Sequence, residues 1–418
     1  MTLMVRHAFP DLSFIREEGF LDRERAGHIL RAEGLDALVV AEGRNVFHAT
    51  QYFPLLEKMS IEASTVAVIP ADPKRPVALV IPAFSYYYIQ ADDGLPPGVE
   101  PFVFTSPTDS APRLHRLDAT GTTPRETKRR EAIAAAAPYS TDMTAALARA
   151  LTQLGLAGSV RVRLGHDHPI LPALIAPALP MATVVASDDT PRRLRLIRTP
   201  AEIRMMRLAS KANVEAAHTT MQLARELGSL RAIRQRFQAE VALRGNLPVF
   251  MVVNGASSES YDEPLREGSA FMVDCVSQLR HFHGDYGRTV FLGEPPARMQ
   301  RCTQVMATVW QALQQALKPG LRFSEVSAIG RHLLKKIDPD VPMSFNVHSV
   351  GLAHTDQPRF DATGQRIDHV IEKNMVLSID CPLFETGQGG TAHLEDLVLI
   401  TETGAEAIHE TGPATLIV

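Results

Sequence analysis

Residues 271–292 read FMVDCVSQLRHFHGDYGRTVFL. Asp274 follows three apolar residues, and Asp285 stands eleven positions further on, inside a second run rich in β-branched and aromatic residues. Such runs read as strands, over Ala270–Cys275 and His283–Leu292. A carboxylate on a buried strand costs several kcal/mol unless it is paired or coordinated. Two of them on neighbouring strands therefore ask for a partner.

The same anomaly recurs further along the chain. Asp380 ends the apolar run MVLSID, Glu395 stands at the start of LEDLVLI, and His348 lies in NVHSVGLAH ahead of a glycine and more apolar residues. Only Arg280 and Arg288 are close in sequence to any of these carboxylates, too few to neutralise all four. A pair of divalent ions is the economical explanation. Hard oxygen donors with an imidazole suit Mn, Fe, Co or Zn, and carboxylates can bridge two ions about 3.5–4 Å apart.

With these residues in view, the chain resembles the pita-bread metallopeptidases, in the branch that includes creatinase, aminopeptidase P and prolidase. The order Asp274, Asp285, His348, Asp380, Glu395 carries the resemblance, together with GDYGRTV (284–290), VHSVGL (347–352), NMVLSIDCP (374–382) and LEDLVLITETGAE (394–406). RTPAEIRMMRLASKAN (198–213) resembles the helix that opens the catalytic domain of that branch, and GLDALVVAEGRNVFHATQYF (34–53) its amino-terminal domain. The resemblance implies an α/β amino-terminal domain over 1–195 and an α+β pita-bread catalytic domain over 196–418. It implies two divalent ions, with Asp274 on one, Asp285 and Glu395 bridging, and His348 with Asp380 on the other. A metal-bridging water would be the nucleophile, Asp380 its proton acceptor, and His354 the imidazole facing the substrate. The implied substrate is a dipeptide or short peptide with proline second, or a small amide, and the implied assembly is a homodimer.

Several positions depart from the family pattern. Asp380 stands where glutamate is usual, followed by Cys381 where proline is usual. The substrate-side histidine expected before the first aspartate is missing around Ser257, and Ser344 replaces another. His393 takes the place of an arginine two residues before Glu395, and His348 and His354 are six apart rather than seven. These changes keep two other readings open. One is a non-peptidase relative, either a creatinase-like C–N hydrolase or a dimethylsulfoniopropionate lyase-like C–S lyase. The other is a metal-free binding protein.

Other histidines and an arginine join the candidates. His281 and His283 alternate ahead of Asp285 and are expected on its face of the strand, as groups that orient a ligand or meet substrate, as is His393. Arg288 is expected to orient a ligand carboxylate. Cys275 and Cys381 directly follow two of the aspartates, so they are expected on the opposite strand faces.

The rest of the chain sets the frame. Its 418 residues are 45% hydrophobic and 22% charged with a formal net charge of -4, the balance of a soluble globular protein without a basic field for nucleic acid. Three scattered cysteines make no disulfide framework and suit a reducing cytoplasm. MTLMVRHAFP (1–10) has no apolar core for a secretory signal, and no run suits a membrane span. Strand signals at Leu35–Val40, Ser64–Ile69, Val77–Ile81 and Val160–Leu164 alternate with helical stretches, which predicts a mixed or parallel sheet. Phe104–Pro138 reads as an irregular excursion, with Lys128–Arg130 on a solvated face. Thr199-Pro200-Ala201-Glu202 is a helix start with a capping box, and opens the second domain.

Overall fold

The computed structural model describes residues 9–91, 94–105, 123–158, 161–361, 363–384 and 390–418. Expectations for the first eight residues, for 106–122 of the excursion and for the start of the Val160–Leu164 strand lie outside these. The chain divides into two compact units, Ser13–Arg195 and Leu196–Val418, the latter together with the described residues ahead of Ser13.

The first unit is built on a six-stranded sheet of order β4-β3-β2-β1-β5-β6. Its strands are β1 Ala37–Val40, β2 Val66–Pro70, β3 Val77–Pro82, β4 Val99–Phe104, β5 Arg163–His166 and β6 Thr183–Ala186. β1, β2 and β3 pair antiparallel, whereas β3–β4, β1–β5 and β5–β6 are parallel, so the sheet is mixed. The central strands are apolar on both faces, and alternation sorts them. Leu38, Val40, Ile69 and Leu79 enter one cluster, and Val39, Val68 and Val80 another with Leu147 and Leu151.

The excursion corrects one expectation. Pro124–Ala135 is a helix capped by Thr123 and Glu126, a full capping box. Within it Arg129 donates to the Tyr87 hydroxyl at 2.6 Å and stacks 4.4 Å from that ring, so this part of the basic run is packed rather than solvated.

The second unit opens as its sequence predicts. The Thr199 side chain accepts from the Glu202 amide at 3.3 Å, Glu202 accepts from the Thr199 amide at 2.9 Å, and the helix Pro200–Gln222 follows. An eight-stranded sheet has its main path in the order β10-β13-β14-β9-β8-β7. The strands are β7 Leu247–Val253, β8 Ala270–Leu279, β9 Phe282–Phe291, β10 Asn346–Ser349, β13 Val376–Leu383 and β14 Ala392–Ile400; β11 Arg359–Phe360 and β12 Arg366–Ile367 form a separate hairpin. One sheet face is apolar. At β7–β9 it packs against Pro200–Gln222 and Leu230–Leu243, through Val273, Cys275, Val290, Ala217 and Phe237. At β13 and β14 it packs against Ala297–Ala316 and Phe323–Ile337, through Ile379, Cys381, Leu394, Val309 and Val326. The opposite face is left for polar groups.

Candidate metal centre

Strand register builds the site. Asp274 on β8 is paired with Gly287 on β9, Gly287 with Glu395 on β14, and Glu395 with Asp380 on β13. These four positions form one row across the sheet. Side chains alternate along a strand, so Asp285, His393 and Ser378, each two residues from a member of the row, share its face. β10 adds His348, whose register partner is Ser378. Cys275 and Cys381, one residue out of phase, are buried in the apolar clusters on the other side.

His354 comes from the loop after β10. Arg198, held by Glu202 at 3.8 Å, donates to the Val350 carbonyl at 2.9 Å beneath that loop. Any Cβ on Gly351 would come 2.1 Å from the guanidinium, which is why glycine stands there. The Thr355 hydroxyl lies 3.0 Å from His354 Nδ1 and 3.4 Å from His348 Nδ1, fixing both rings from behind.

The front faces of these rings meet carboxylates. His348 Nε2 is 3.5 Å from Glu395 Oε1 and 3.7 Å from Asp285 Oδ2, and His354 Nε2 is 3.2 Å from Asp285 Oδ2. His393 places Nε2 3.0 Å from Glu395 Oε2 and Nδ1 3.5 Å from Asp380 Oδ1. Asn346 donates to Asp380 Oδ2 at 3.2 Å, and the Ser378 hydroxyl donates to Glu395 Oε1. Three overlapping trios each bring one donor atom per residue within 4.8 Å of the others: Asp285 with His348 and His354, Asp274 with His393 and Glu395, and His348 with Asp380 and Glu395.

The electrostatics are those of a site short of positive charge. Burial and the charge of Glu395 push Asp274 up to about 8 and Asp380 up to about 6, and raise Asp285 well above the carboxylate range. Burial works against the charged form of Glu395 too, but hydrogen bonds from His348 and His393 hold it well below its usual value. Burial likewise opposes the charged form of His393, yet its bond to Glu395 and the charge of Asp380 lift it to about 9. Burial and the neighbouring His348 lower His354 to about 4. Both oxygens of Asp285, Oδ1 of Asp274 and Oδ1 of Asp380 have no hydrogen-bond partner among the described residues. Buried carboxylate oxygens without donors are what cations satisfy, and the donor set of oxygens and imidazoles fits divalent ions.

Two neighbouring residues are placed differently from expectation. His281 is not on the strand. With Arg280 it forms the two-residue turn of the β8–β9 hairpin, both at positive φ (72° and 45°). Arg288 lies on the face opposite Asp285 and grips backbone: it donates to the Glu395 carbonyl at 2.8 Å and pairs with Asp396 at 2.7 Å. It therefore anchors β14 and touches no carboxylate of the row. His283 does reach the site, with Nδ1 2.8 Å from the Gly351 carbonyl and its ring 6.1 Å from that of His354. Sequence reasoning passed over Asn346, Ser378, Thr355 and Asp396. It also passed over Phe250, whose ring stands 5.3 Å from that of His354. Ser378 and Asn346 had a local signal, their two-residue spacing from Asp380 and His348, and so did Asp396, a charge within the apolar run LEDLVLI.

Residues 204–402 match metallopeptidase family M24. The chain carries an M24 metallopeptidase domain. Among curated relatives, the Xaa-Pro dipeptidase of Pyrococcus furiosus is 24% identical over 233 residues, covering 54% of this chain and 66% of that protein. A probable dipeptidase PepE of Mycobacterium bovis is 27% identical over 253 residues, covering 57% and 66%. The matched stretch thus spans just under two thirds of the length of these relatives. Among solved structures, the prolidase of Pyrococcus horikoshii OT3 has a TM-score of 0.63 at 17% identity, covering 93% of this chain and 98% of the other. A dipeptidase from the same organism reaches 0.66 at 15%, covering 95% and 99%. The N-terminal domain of FACT complex subunit SPT16 from chickpea also fits, at 0.63 and 12% over 97% and 99%, so the fold is not confined to chains named as peptidases. The expected architecture holds: an α/β unit followed by an α+β pita-bread unit. Among the described residues no helix is long and apolar enough to cross a membrane.

Proposed function

We propose that this chain is a dinuclear metal-dependent hydrolase of dipeptides or short peptides, with Xaa-Pro bonds or a related small amide as its substrate class. The observation that carries this reading is the row Asp274–Gly287–Glu395–Asp380, flanked by Asp285 and His348, with its partnerless buried oxygens. Asp274 would hold one ion, His348 and Asp380 the other, and Asp285 with Glu395 would bridge them. Two divalent ions there supply Lewis acidity and activate water near neutral pH. Asp380 Oδ1 accepts the proton that water gives up as it attacks the carbonyl carbon. His354, kept neutral by burial and by His348, donates from Nε2 to the oxygen that gains charge. Phe250, packed on His354, offers the substrate an apolar neighbour.

The reading includes a domain boundary near 195 with every ligand beyond it, a homodimer, and a cytoplasmic location. The three free, buried cysteines support a reducing compartment. Its test is a panel of Xaa-Pro and other dipeptides assayed with Mn²⁺, Co²⁺, Zn²⁺ and Fe²⁺, alongside elemental analysis. About two ions per chain and hydrolysis of a dipeptide are expected. A protein that takes up no ion, or that holds ions but cleaves no amide, overturns it.

A further inference from the structure

β14 brings a second imidazole into the row. The ring of His393 lies over Gly287, where a Cβ would come 1.9 Å from its Cδ2 and 2.3 Å from its Nε2. Gly287 is the register partner of both Asp274 and Glu395, so bare backbone opens a space between those two carboxylates and the ring fills it. His393 is buried, and its Nε2 stands 3.0 Å from Glu395 Oε2. Donor atoms of Asp274, His393 and Glu395 lie within 4.8 Å of one another. Two donors that each bind one ion at about 2.0–2.2 Å stand about 3 Å apart, the separation found here. The other ring nitrogen, Nδ1, lies 3.5 Å from Asp380 Oδ1 and makes no hydrogen bond, so the close contact of the ring is the one at Nε2.

Resting on the dinuclear reading above, we propose that His393 is itself a ligand, completing the set around the ion held by Asp274 and Glu395. Each ion then has one imidazole, His348 on one side of the row and His393 on the other. An arginine at this position, permanently charged and without a free lone pair, cannot take that role. A second imidazole moves the site away from the oxygen-rich sets that suit Mn²⁺ and toward Co²⁺, Zn²⁺ and Ni²⁺.

The test uses the full chain loaded with Co²⁺, with X-ray absorption to count imidazoles around the ions and titration to measure affinity. His393→Gln is expected to remove one imidazole from the count and to weaken Co²⁺ and Zn²⁺ binding by at least about tenfold, with a smaller loss for Mn²⁺. His354→Gln is expected to leave two imidazoles in place, and its count stands even if His393→Gln fails to fold. Wild type with two ions but one imidazole, or His393→Gln with an unchanged count, overturns the assignment while leaving the dinuclear reading intact. Wild type that binds no ion overturns both.

Discussion

β1 and β14 are both buried along their whole length, yet they could not be more different in composition. β1 is ALVV, and its residues divide between two apolar clusters, one on each face of the sheet. β14 is AHLEDLVLI, and carries His393, Glu395 and Asp396 at the same depth. Burial alone therefore does not say what a strand is for. In the first unit both sheet faces are core. In the second, one face is core, with Arg288 and Asp396 paired within it, and the other is a surface of charge that only counter-charge can stabilise, supplied by histidines and, in the proposed reading, by cations.

The largest effect should come from removing a bridge. Glu395→Ala or Asp285→Ala is expected to lose both ions and all hydrolysis, since one remaining bridge leaves the repulsion between two close cations poorly screened; full metal content in either variant would refute the bridging assignment. The converse experiment puts the charge where no counter-charge exists. Val39→Asp on β1 is expected to destabilise the first unit by about 3–5 kcal/mol, measured by denaturant unfolding, because nothing there can pair with it. A tolerated Val39→Asp would mean that the apolar faces are less closed than the clusters indicate.

The contrast also explains what was legible in the sequence. Asp274, Asp285, Asp380 and Glu395 stood out because a charge within an apolar run is a local anomaly, visible without knowing the fold. The capping box at Thr199 was equally local. Thr123-Pro124-Arg125-Glu126 carries the same signal, but the surrounding proline, threonine and charge outweighed it and the helix was missed. His281 was misplaced because its hairpin turn uses Arg and His at positive φ rather than the Asn-Gly that announces such turns. Arg288 was misjudged because its target, the Glu395 carbonyl, is 107 positions away. The place of His393 depends on Gly287, a neighbour only through register. Local chemistry was readable; non-local pairing was not.

Asp380 sharpens the comparison within the row itself. Asn346 and His393 close around its carboxylate at 3.2 and 3.5 Å, so the shorter side chain has a fitted pocket. Asp380→Glu is expected to lower kcat on the native substrate by about 10²-fold, since an error near 1 Å at the reacting atoms costs on that order. Ser257, Ser344 and His393 have departed from the family pattern with it, which suits a pocket rebuilt for a different substrate. Improved Xaa-Pro cleavage in this variant would instead mark a conventional peptidase site loosened by a lost methylene.

The last effect is a slope of stability against pH that should exist only without metal. Above about pH 6.5 the raised groups all act in one direction. Asp274, held up to about 8, and Asp285, raised well above the carboxylate range, keep protons in the folded chain that the unfolded chain has released, and His393 does the same up to about 9. The folded state binds more protons, so stability falls as pH rises, by about 1.4 kcal/mol per pH unit for each extra proton. Below that window His354 and His409, both lowered to about 4, oppose the trend, as Glu395 does at lower pH still. Calorimetry of chelator-dialysed protein at pH 6.5, 7.5 and 8.5 should show a falling Tm. Reloaded protein should lose the slope, because cations take the places of the protons and bind more tightly as pH rises. A flat or rising Tm in the metal-free chain would mean that the carboxylates of β8, β9 and β13 do not share one field, and that the polar face of this sheet is not the charge-starved surface its register implies.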